Sequence, residues 1–374
     1  MNTTQRELIM QRWGVVQREL MPELRNEIGP LTSRLEKVIH TLEWVRIEEF
    51  VESSWCGVGR PPHDRGALAN AFVAKAVLGL TTTTALIERL KVDRALRRIC
   101  GFSMWKRIPD PSTFSRAFEE FTKAKLSERV HAALVQQHLG QSLIGHISRD
   151  GTAIEAREKP AHKGEDKLDP TDAATAAAKP KRGRPCKGEV RAPKIKVITR
   201  QLGQSLTEIL AALPSACDRG TKCNAQGYKT SWNGYKLHID TADCGVAVSA
   251  LLTSASVHDS QTAIPLALMT QSRVTNCYDL MDAAYCSEEI RNHSRSLGHV
   301  PLIDHNPRGG EKIAFDPAEA ERYKERSQAE RTNARLKDEF GGRQVQVRGP
   351  AKVMNHLMFG LLALTADQLL RLLR

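Results

Sequence analysis

Apolar residues recur every three or four positions along the first third of the chain, the spacing that places them on one face of an α-helix. One helix is predicted between Ser33 and Val51, and a second begins after Asp64, whose carboxylate can cap the free amides at its start. Shorter helices are predicted over residues 83–90 and 94–99. Another begins at Pro111, where the missing N–H of proline costs nothing. We therefore expect residues 1–138 to form a helical N-terminal domain.

Two interpretations of this helical region remain open at the level of the sequence. Short helices in close succession are typical of a plain helical bundle and also of a helix-turn-helix unit that binds DNA. The second interpretation is favoured by a basic rim on these helices, which consists of Lys91, Arg94, Arg97 and Arg98. The pattern alone does not separate the two.

The periodicity changes after residue 139, where short apolar runs predict β-strands. Strands are predicted over residues 142–147, 234–239, 245–254, 277–281 and 300–303, and helices over residues 260–270, 287–296 and about 317–340. Strands that alternate with helices predict an α/β domain, here over residues 139–345. The polar interval of about residues 155–228 separates the first two predicted strands and is interpreted as a basic, flexible insertion.

A last apolar segment predicts a C-terminal helix within residues 346–374 that packs on the core. Its apolar run, residues 357–364, is interrupted by Asp367, Gln368 and Arg371, well short of the ~20 residues that span a bilayer. The first thirteen residues alternate polar and charged positions and do not resemble a secretory signal. We expect a cytoplasmic protein with no membrane partner.

Charge and cysteine usage narrow the possible partners. The chain carries 55 Lys and Arg against 43 Asp and Glu, a net charge of +12, which favours a polyanionic partner, although basic surfaces can also serve solubility alone. The 8 cysteines are scattered singly, without the Cys-x2-Cys spacing of zinc sites or the density of a disulfide scaffold. Position along the chain must decide whether the excess charge is functional.

Two aspartates are candidates for chemistry because each comes directly after an apolar run. Asp150 precedes Gly151 and Asp282 precedes Ala283, so the backbone can turn away and leave each carboxylate accessible at one edge of the sheet. Either residue alone could be an ordinary turn-forming or capping aspartate. Asp279 lies inside its predicted strand and is interpreted as structural.

The predicted helix over residues 317–340 carries a third carboxylate. Tyr323, Arg326, Glu330 and Lys337 point in directions within about 60° of one another at ~100° per residue. An acid, two cations and a phenol make a poor core, so this face is either a solvated salt-bridge face or, opposite two aspartates, a site for phosphodiester chemistry.

These motifs resemble those of the bacterial insertion-sequence transposases of the Asp-Asp-Glu (DDE) type. The resemblance rests on the Tyr-Arg-Glu-Lys signature, Tyr323-x2-Arg326-x3-Glu330-x6-Lys337. It also rests on Asp150-Gly151-Thr152, on Trp232-x-Gly234-Tyr235-Lys236-x-His238, on the run from Ala255 to Ser260, and on Asp282-Ala283-Ala284-Tyr285. The helical stretch from Gly59 to Arg116 resembles the N-terminal domain of the same family, so the likeness covers roughly residues 55–365. Several motifs in the right order are more specific than one short match.

The resemblance implies a ribonuclease-H-like catalytic core, a mixed sheet flanked by helices, with an all-α N-terminal domain. It implies a DNA transposase that binds the terminal inverted repeats of an insertion sequence, cleaves them, and transfers the 3′-hydroxyl ends to target DNA. Asp150, Asp282 and Glu330 would be catalytic and would hold two Mg²⁺ or Mn²⁺ ions per site. Tyr323, Arg326 and Lys337 would contact double-stranded DNA, on which the enzyme would act as a homodimer.

Two other functions stay open. A related metal-dependent nuclease would use the same carboxylates without strand transfer, and a catalytically inactive derivative would only bind DNA. Cys286 follows Tyr285 where the family pattern more often has a polar residue, which leaves room for the second.

A basic segment inside the predicted insertion is a further candidate for DNA binding. Between Lys179 and Arg200 nine Lys or Arg residues stand against the single acid Glu189. Lys181, Arg182 and Arg184 flank Gly183 in a pattern that resembles a hook in the narrow minor groove of A·T-rich DNA. A disordered linker that contacts phosphates without preference is the alternative.

Three polar residues between the two aspartates have competing interpretations. Asp259 is expected to cap a helix rather than to take part in catalysis. His238 is expected to be a surface residue or a satisfied core residue rather than a ligand. Trp232 could stack on a base or simply pack in the protein.

Overall fold

A computed structural model of the chain describes residues 3–52, 61–161, 195–223, 226–307 and 310–373. Within these ranges the chain forms fifteen α-helices and a six-stranded sheet. The prediction of an all-helical N-terminal region followed by strands that alternate with helices is confirmed. Lys181, Arg182 and Arg184 lie outside the described residues.

The N-terminal region consists of eight helices. They are α1 (Thr3–Val15), α2 (Met21–Ile28), α3 (Ser33–Val45), α4 (Arg65–Val77), α5 (Thr83–Val92), α6 (Arg94–Ile99), α7 (Pro111–Lys123) and α8 (Leu126–Leu139). Polar side chains cap the starts of α3 to α6. Asp64 caps α4 as predicted, since its carboxylate accepts hydrogen bonds from the amides of Gly66 at 2.8 Å and Ala67 at 3.2 Å. The predicted helix over residues 33–51 ends early because Arg46 adopts a left-handed conformation with φ of 43°.

The sheet combines a parallel half with an antiparallel half. Its strands are β1 (Leu143–Glu155), β2 (Asp218–Cys223), β3 (Lys229–Ala242), β4 (Ala247–Ser254), β5 (Thr275–Met281) and β6 (Val300–Ile303). β1, β5 and β6 are parallel neighbours, whereas β3 runs antiparallel to β1, β2 and β4. β1 is therefore the strand at which the two halves meet.

Helices cover both faces of this sheet. They are α9 (Val197–Gln201), α10 (Leu206–Ala212), α11 (Ala263–Gln271), α12 (Glu288–Ser296), α13 (Pro317–Tyr323), α14 (Ser327–Asp338) and α15 (Pro350–Arg371). Apolar side chains of α9 to α12 pack together against Met281 and Ile303 on one face. Side chains of α14 and α15 pack against Tyr235, Leu237 and Ile239 on the other.

The interval predicted as an insertion contains regular structure in its second half. α9, α10 and β2 lie between residues 197 and 223, and Ile198 and Ile209 are buried in the core. The sequence concealed these elements because the two helices are short and the side chains of β2 are mostly exposed. The insertion is therefore shorter than predicted, and residues 162–194 are not described.

The C-terminal helix α15 joins the two halves of the molecule. It packs on α3, α4, α7 and α8 of the N-terminal region and also on β4 and α14. By length and composition it could cross a membrane, with a mean hydropathy of 1.2, but 78% of that apolar window is buried inside the protein. α15 is thus a core helix, as its sequence pattern predicted, and it couples the N-terminal helices to the sheet.

Candidate active site

The strand register brings the two candidate aspartates side by side. β1 pairs in parallel with β5, and the last paired residues are Arg149 and Met281. Asp150 and Asp282 each come one residue later, so they stand at the same level where the two strands separate. The sheet thus positions two carboxylates at a single edge, which is the arrangement that the sequence predicted.

Asp150, however, does not lie beyond the end of its strand. β1 continues to Glu155 because its other edge remains paired with β3, from Asp150 opposite Ile239 to Glu155 opposite Gly234. The apolar pattern stopped at Ile147 because the next two residues, Ser148 and Arg149, are polar although buried, and residues 150–153 are only partly buried. Asp150 is therefore held on a continuous strand, with its neighbour β5 no longer paired beside it.

Asp282 and Asp279 differ in where their carboxylates point. Asp282 begins a short 3-10 turn and accepts a hydrogen bond from the amide of Ala284 at 2.9 Å. Asp279 is buried and its carboxylate bonds to Ser294 at 2.5 Å and His299 at 3.1 Å. Asp279 is thus committed to an internal network, and Asp282 is the aspartate that faces the edge of the sheet.

The helix that carries the third carboxylate is broken where the sequence predicted a continuous one. α13 ends at Tyr323, residues Lys324–Arg326 form a 3-10 turn, and α14 begins at Ser327. A 3-10 turn advances about 120° per residue instead of 100°, so the directions calculated for a single helix do not hold across the break. The break lets Arg326 project from the turn toward the sheet edge.

The Arg326 guanidinium contacts all three candidate carboxylates. Its guanidinium nitrogens lie 3.4 Å from Asp150 Oδ1, 3.7 Å from Asp282 Oδ2 and 2.9 Å from Glu330 Oε1. The side chains of the two aspartates and Arg326 are partly buried, whereas the Glu330 side chain is 62% exposed. The structure therefore brings Asp150, Asp282, Glu330 and Arg326 together in one cluster.

The other two members of the signature have different surroundings. The Tyr323 hydroxyl donates a hydrogen bond to the carbonyl oxygen of Met281 at 3.0 Å, directly before Asp282. Burial raises the pKa of Tyr323 to about 12, so the phenol stays protonated as a donor. Lys337 is half-buried near the other end of α14. Burial lowers its pKa, and the nearby cations Arg343 and Lys222 lower it further.

Asn333 is a site residue that the sequence reasoning missed. Its Nδ2 donates a hydrogen bond to Asp150 Oδ2 at 2.9 Å, and the residue is only 6% exposed. It lies three residues after Glu330, a spacing that places two side chains on one helix face. That offset was the available signal, and Asn333 now fixes the orientation of the Asp150 carboxylate.

Asp259 is a fourth carboxylate near the site, and the expectation that it caps a helix is wrong. Its Oδ1 accepts a hydrogen bond from Lys236 Nζ at 2.9 Å, while the His258 ring nitrogen caps the following turn. A Cβ atom at Gly151 would lie 3.4 Å from Asp259 Oδ1. Asp259 therefore stands behind the backbone next to Asp150, and its charge is paired with Lys236.

His238 and Trp232 take structural positions. His238 is fully buried, its Nε2 lies 2.9 Å from Thr253 Oγ1, and burial lowers its pKa to about 4. Trp232 donates its indole N–H to the carbonyl oxygen of Tyr235 at 3.1 Å and covers Gly220. His238 is thus a core residue as one of the two expectations had it, but it is not fully satisfied, since its Nδ1 has no hydrogen-bond partner among the described residues. The packing interpretation of Trp232 holds.

The cluster is poorly neutralised electrostatically. Burial raises the pKa of Asp150 to about 6, an effect that Arg326 opposes and the nearby Asp282 reinforces. Burial also raises the pKa of Asp282, again against the influence of Arg326. The Arg326 guanidinium is thus the cation that contacts all three carboxylates in the described structure. Additional positive charge would stabilise their ionised forms.

The donor chemistry of the cluster fits divalent cations. Carboxylate oxygens are the ligands that Mg²⁺ and Mn²⁺ prefer, and Asp150, Asp282 and Glu330 already surround one positive charge. In the described part of the chain no three metal-binding side chains stand close enough to form a finished metal site. Arg326 lies between these carboxylates, and the exposed Glu330 side chain is free of the surrounding core.

Comparison with known protein families gives two matches. Residues 215–366 match the model of a transposase DDE domain, and residues 23–120 match that of a transposase domain (DUF772). The first match contains Asp282 and Glu330 and begins after Asp150. No curated protein and no solved structure matches the chain. Together the two matches support an insertion-sequence transposase of the DDE type.

Proposed function

We propose that this chain, which matches the models of two transposase domains, binds the terminal inverted repeats of an insertion sequence, cleaves them, and transfers the freed 3′-hydroxyl ends to target DNA. The observation that carries the proposal is the convergence of Asp150, Asp282 and Glu330 on Arg326 at one edge of the sheet. Three carboxylates gathered around one cation are a costly arrangement for stability alone, because like charges at short range repel.

The three carboxylates are the proposed ligands of two Mg²⁺ or Mn²⁺ ions. When bound, the ions would activate the attacking water or 3′-hydroxyl and stabilise the leaving oxygen. Asn333 holds the Asp150 carboxylate through its hydrogen bond. The backbone turn after Asp282 holds the second carboxylate through the amide of Ala284. Both aspartates are thus oriented before any ligand arrives, which lowers the cost of assembling the site.

The cations of the signature are the proposed DNA contacts. Arg326 is the group displaced from the carboxylates, and its planar guanidinium can then pair with two oxygens of a phosphate. Tyr323 fixes the end of β5 through its bond to Met281, close to Asp282. Lys337 lies near the other end of α14 and would contact a more distant phosphate. The 3-10 turn and α14 together therefore supply both a metal ligand and the cations that position the DNA.

The topology supports a ribonuclease-H-like core. The antiparallel β3 and β4 lie on one side of β1, and the parallel β5 and β6 lie on the other. We assign end recognition to the N-terminal helices, which α15 connects to the sheet. A homodimer on paired DNA ends, with the chain in the cytoplasm and on the nucleoid, completes the proposal.

The test is a reaction with DNA that carries the element's own ends. Purified protein, Mg²⁺ and a supercoiled target plasmid should yield both cut ends and ends joined to the plasmid. Cut ends without joined products would indicate a nuclease, and binding without cutting would indicate an inactive derivative. Glu330→Gln should lose both products. Glu321→Gln is the matched control, because Glu321 is an exposed acid of α13 that pairs only with Lys324 among the described residues.

A further inference from the structure

A cavity of about 390 Å³ lies away from the carboxylate cluster, between the N-terminal helices and the start of α15. Its cationic lining residues are Lys75 of α4 and Arg348 and Lys352 beside and within the first turn of α15. Aromatic rings, aliphatic groups and hydroxyl side chains form the rest of its wall. No acidic residue lines it within the described parts of the chain, so the charged side chains that face the cavity are basic.

Lys75 is the unusual member of this lining. It is 8% exposed, and its ammonium has neither a hydrogen bond nor an ion pair to any residue that the structure describes. Burial lowers the pKa of Lys75 to about 8, so at neutral pH it is still mostly charged. A buried charge without a partner is costly. A negatively charged ligand in the cavity would remove that cost.

The neutral donors around Lys75 also suit an anion. Two helices begin at the cavity, α5 with Thr83 and Thr84 and α7 with Pro111. At the start of α7, Pro111 has no amide hydrogen and the amides of Thr113 and Phe114 bond to the carbonyl oxygen of Asp110. The amides offered to an anion are therefore those of Thr83 and Thr84, which begin α5 and have no partner within their own helix. Helix N-termini attract anions through such amides and through the helix dipole. The buried ammonium is the independent observation that turns these ends into a site.

The cavity is continuous with the signature helix. A smaller depression of about 210 Å³ shares Gly341 with it and is also lined by Lys337 and Arg343. Two acids, Asp338 and Glu339, also line this depression, so its charge is mixed where that of the larger cavity is basic. Lys352 is partly neutralised by Glu119, 3.6 Å away, and Arg343 pairs with Asp338. Lys75 and Lys337 have no acidic partner in the described structure, and of these two only Lys75 is buried.

We propose that this cavity binds a backbone phosphate of the DNA substrate, with the ammonium of Lys75 as its buried counter-charge. The assignment to DNA rests on the proposed function, whereas the affinity for a phosphate group rests on the cavity alone. A phosphate held here would anchor the DNA to the N-terminal helices while another part of the same duplex lies against α14.

The experiment uses the full chain and three variants. Lys75→Met removes the buried charge at similar volume. Lys352→Gln changes a rim residue whose side chain is 41% exposed, so folding is not at risk. Lys196→Met is the control, since Lys196 is exposed, pairs with Glu289 and lines neither cavity. Thermal unfolding is measured in phosphate and in chloride at equal ionic strength, and DNA affinity is measured against salt on a duplex of about 30 base pairs.

Inorganic phosphate should raise the Tm of the wild type and of Lys196→Met, raise that of Lys352→Gln less, and leave Lys75→Met unchanged. The slope of log affinity against log salt should fall by about one counterion in Lys75→Met. Equal stabilisation of the wild type and Lys75→Met by phosphate would overturn the anion site. Loss of the phosphate effect with an unchanged DNA salt slope would overturn the assignment to DNA and leave a site for a free phosphate. A failed cleavage assay with both predicted shifts present would refute the proposed function and not this site.

Discussion

Replacing Asp150 by asparagine should stabilise the metal-free protein and abolish its response to Mg²⁺. The Asp150 side chain is 19% exposed, and burial raises its pKa from 3.8 to about 6 even though Arg326 lies 3.4 Å away. Ionised Asp150 is therefore a net cost in the folded state. Asparagine is neutral and keeps a side-chain oxygen that can accept the hydrogen bond from Asn333.

The size of the effect follows from the pKa. A rise of about two pKa units corresponds to about 3 kcal/mol at a pH where the carboxylate is ionised in both states. This value already includes the attraction of Arg326, and asparagine replaces a neutral carboxyl group imperfectly, so we expect a gain of about 1–3 kcal/mol, or a Tm higher by about 2–6 °C. At a hundredfold excess over its Kd, Mg²⁺ should stabilise the wild type by about 2.7 kcal/mol and thereby remove or reverse the difference.

The stability difference between Asp150→Asn and the wild type should change with pH in one direction. Because the folded-state pKa of Asp150 is raised, its contribution to stability is fully present below the unfolded-state pKa, near 4, and is lost as the pH rises through about 6. The advantage of Asp150→Asn in EDTA should thus be small at pH 4, grow to pH 6, and level off above pH 7.

Calorimetric unfolding in EDTA and in MgCl₂ between pH 4 and pH 8 measures both effects. Asp316→Asn is the control, because Asp316 is exposed at the start of α13 and its side chain makes no cap hydrogen bond. An Asp150→Asn protein that is less stable than the wild type in EDTA at pH 7, or that gains as much from Mg²⁺, would refute the reasoning.

Two further predictions concern the surroundings of the site. Asn333→Ala should slow DNA cleavage about 10–100-fold and raise the Mg²⁺ concentration needed for half-maximal rate, because the Asp150 carboxylate loses its orienting donor; an unchanged Mg²⁺ requirement would show that Asn333 only packs. Asp240→Asn should destabilise the protein by about 3–5 kcal/mol in urea unfolding, because it leaves the fully buried Arg149, bonded to both Asp240 oxygens at 2.7 Å, without its counter-charge. A loss below about 1 kcal/mol would mean that Arg149 finds another partner.

The sequence predicted the elements whose signal is local. Asp64 and Pro111 marked the starts of α4 and α7 because a cap or a proline acts within one turn of helix. The position of Asp282 after β5 followed from an apolar run that ends where the buried strand ends. These features depend only on residues close by in the sequence, so the sequence alone reveals them.

Features that depend on distant partners were not predictable in the same way. Asp150 was placed beyond its strand because the pairing that extends β1 comes from β3, about eighty residues later. β2 was missed because an edge strand with exposed side chains has no apolar alternation. The break before α14 and the bond from Lys236 to Asp259 exist only once the sheet edge and the helix meet.

The central claim, that Asp150, Asp282 and Glu330 form one metal-dependent site for DNA cleavage, is tested most directly by single-turnover kinetics. Cleavage of end DNA in Mg²⁺ is measured for the wild type and for Asp150→Asn, Asp282→Asn and Glu330→Gln, with DNA affinity measured in parallel. We predict that each variant loses cleavage by about 10³-fold or more while its affinity for the ends stays close to that of the wild type. Cleavage retained by any one of the three, or lost only in proportion to DNA binding, would contradict the claim.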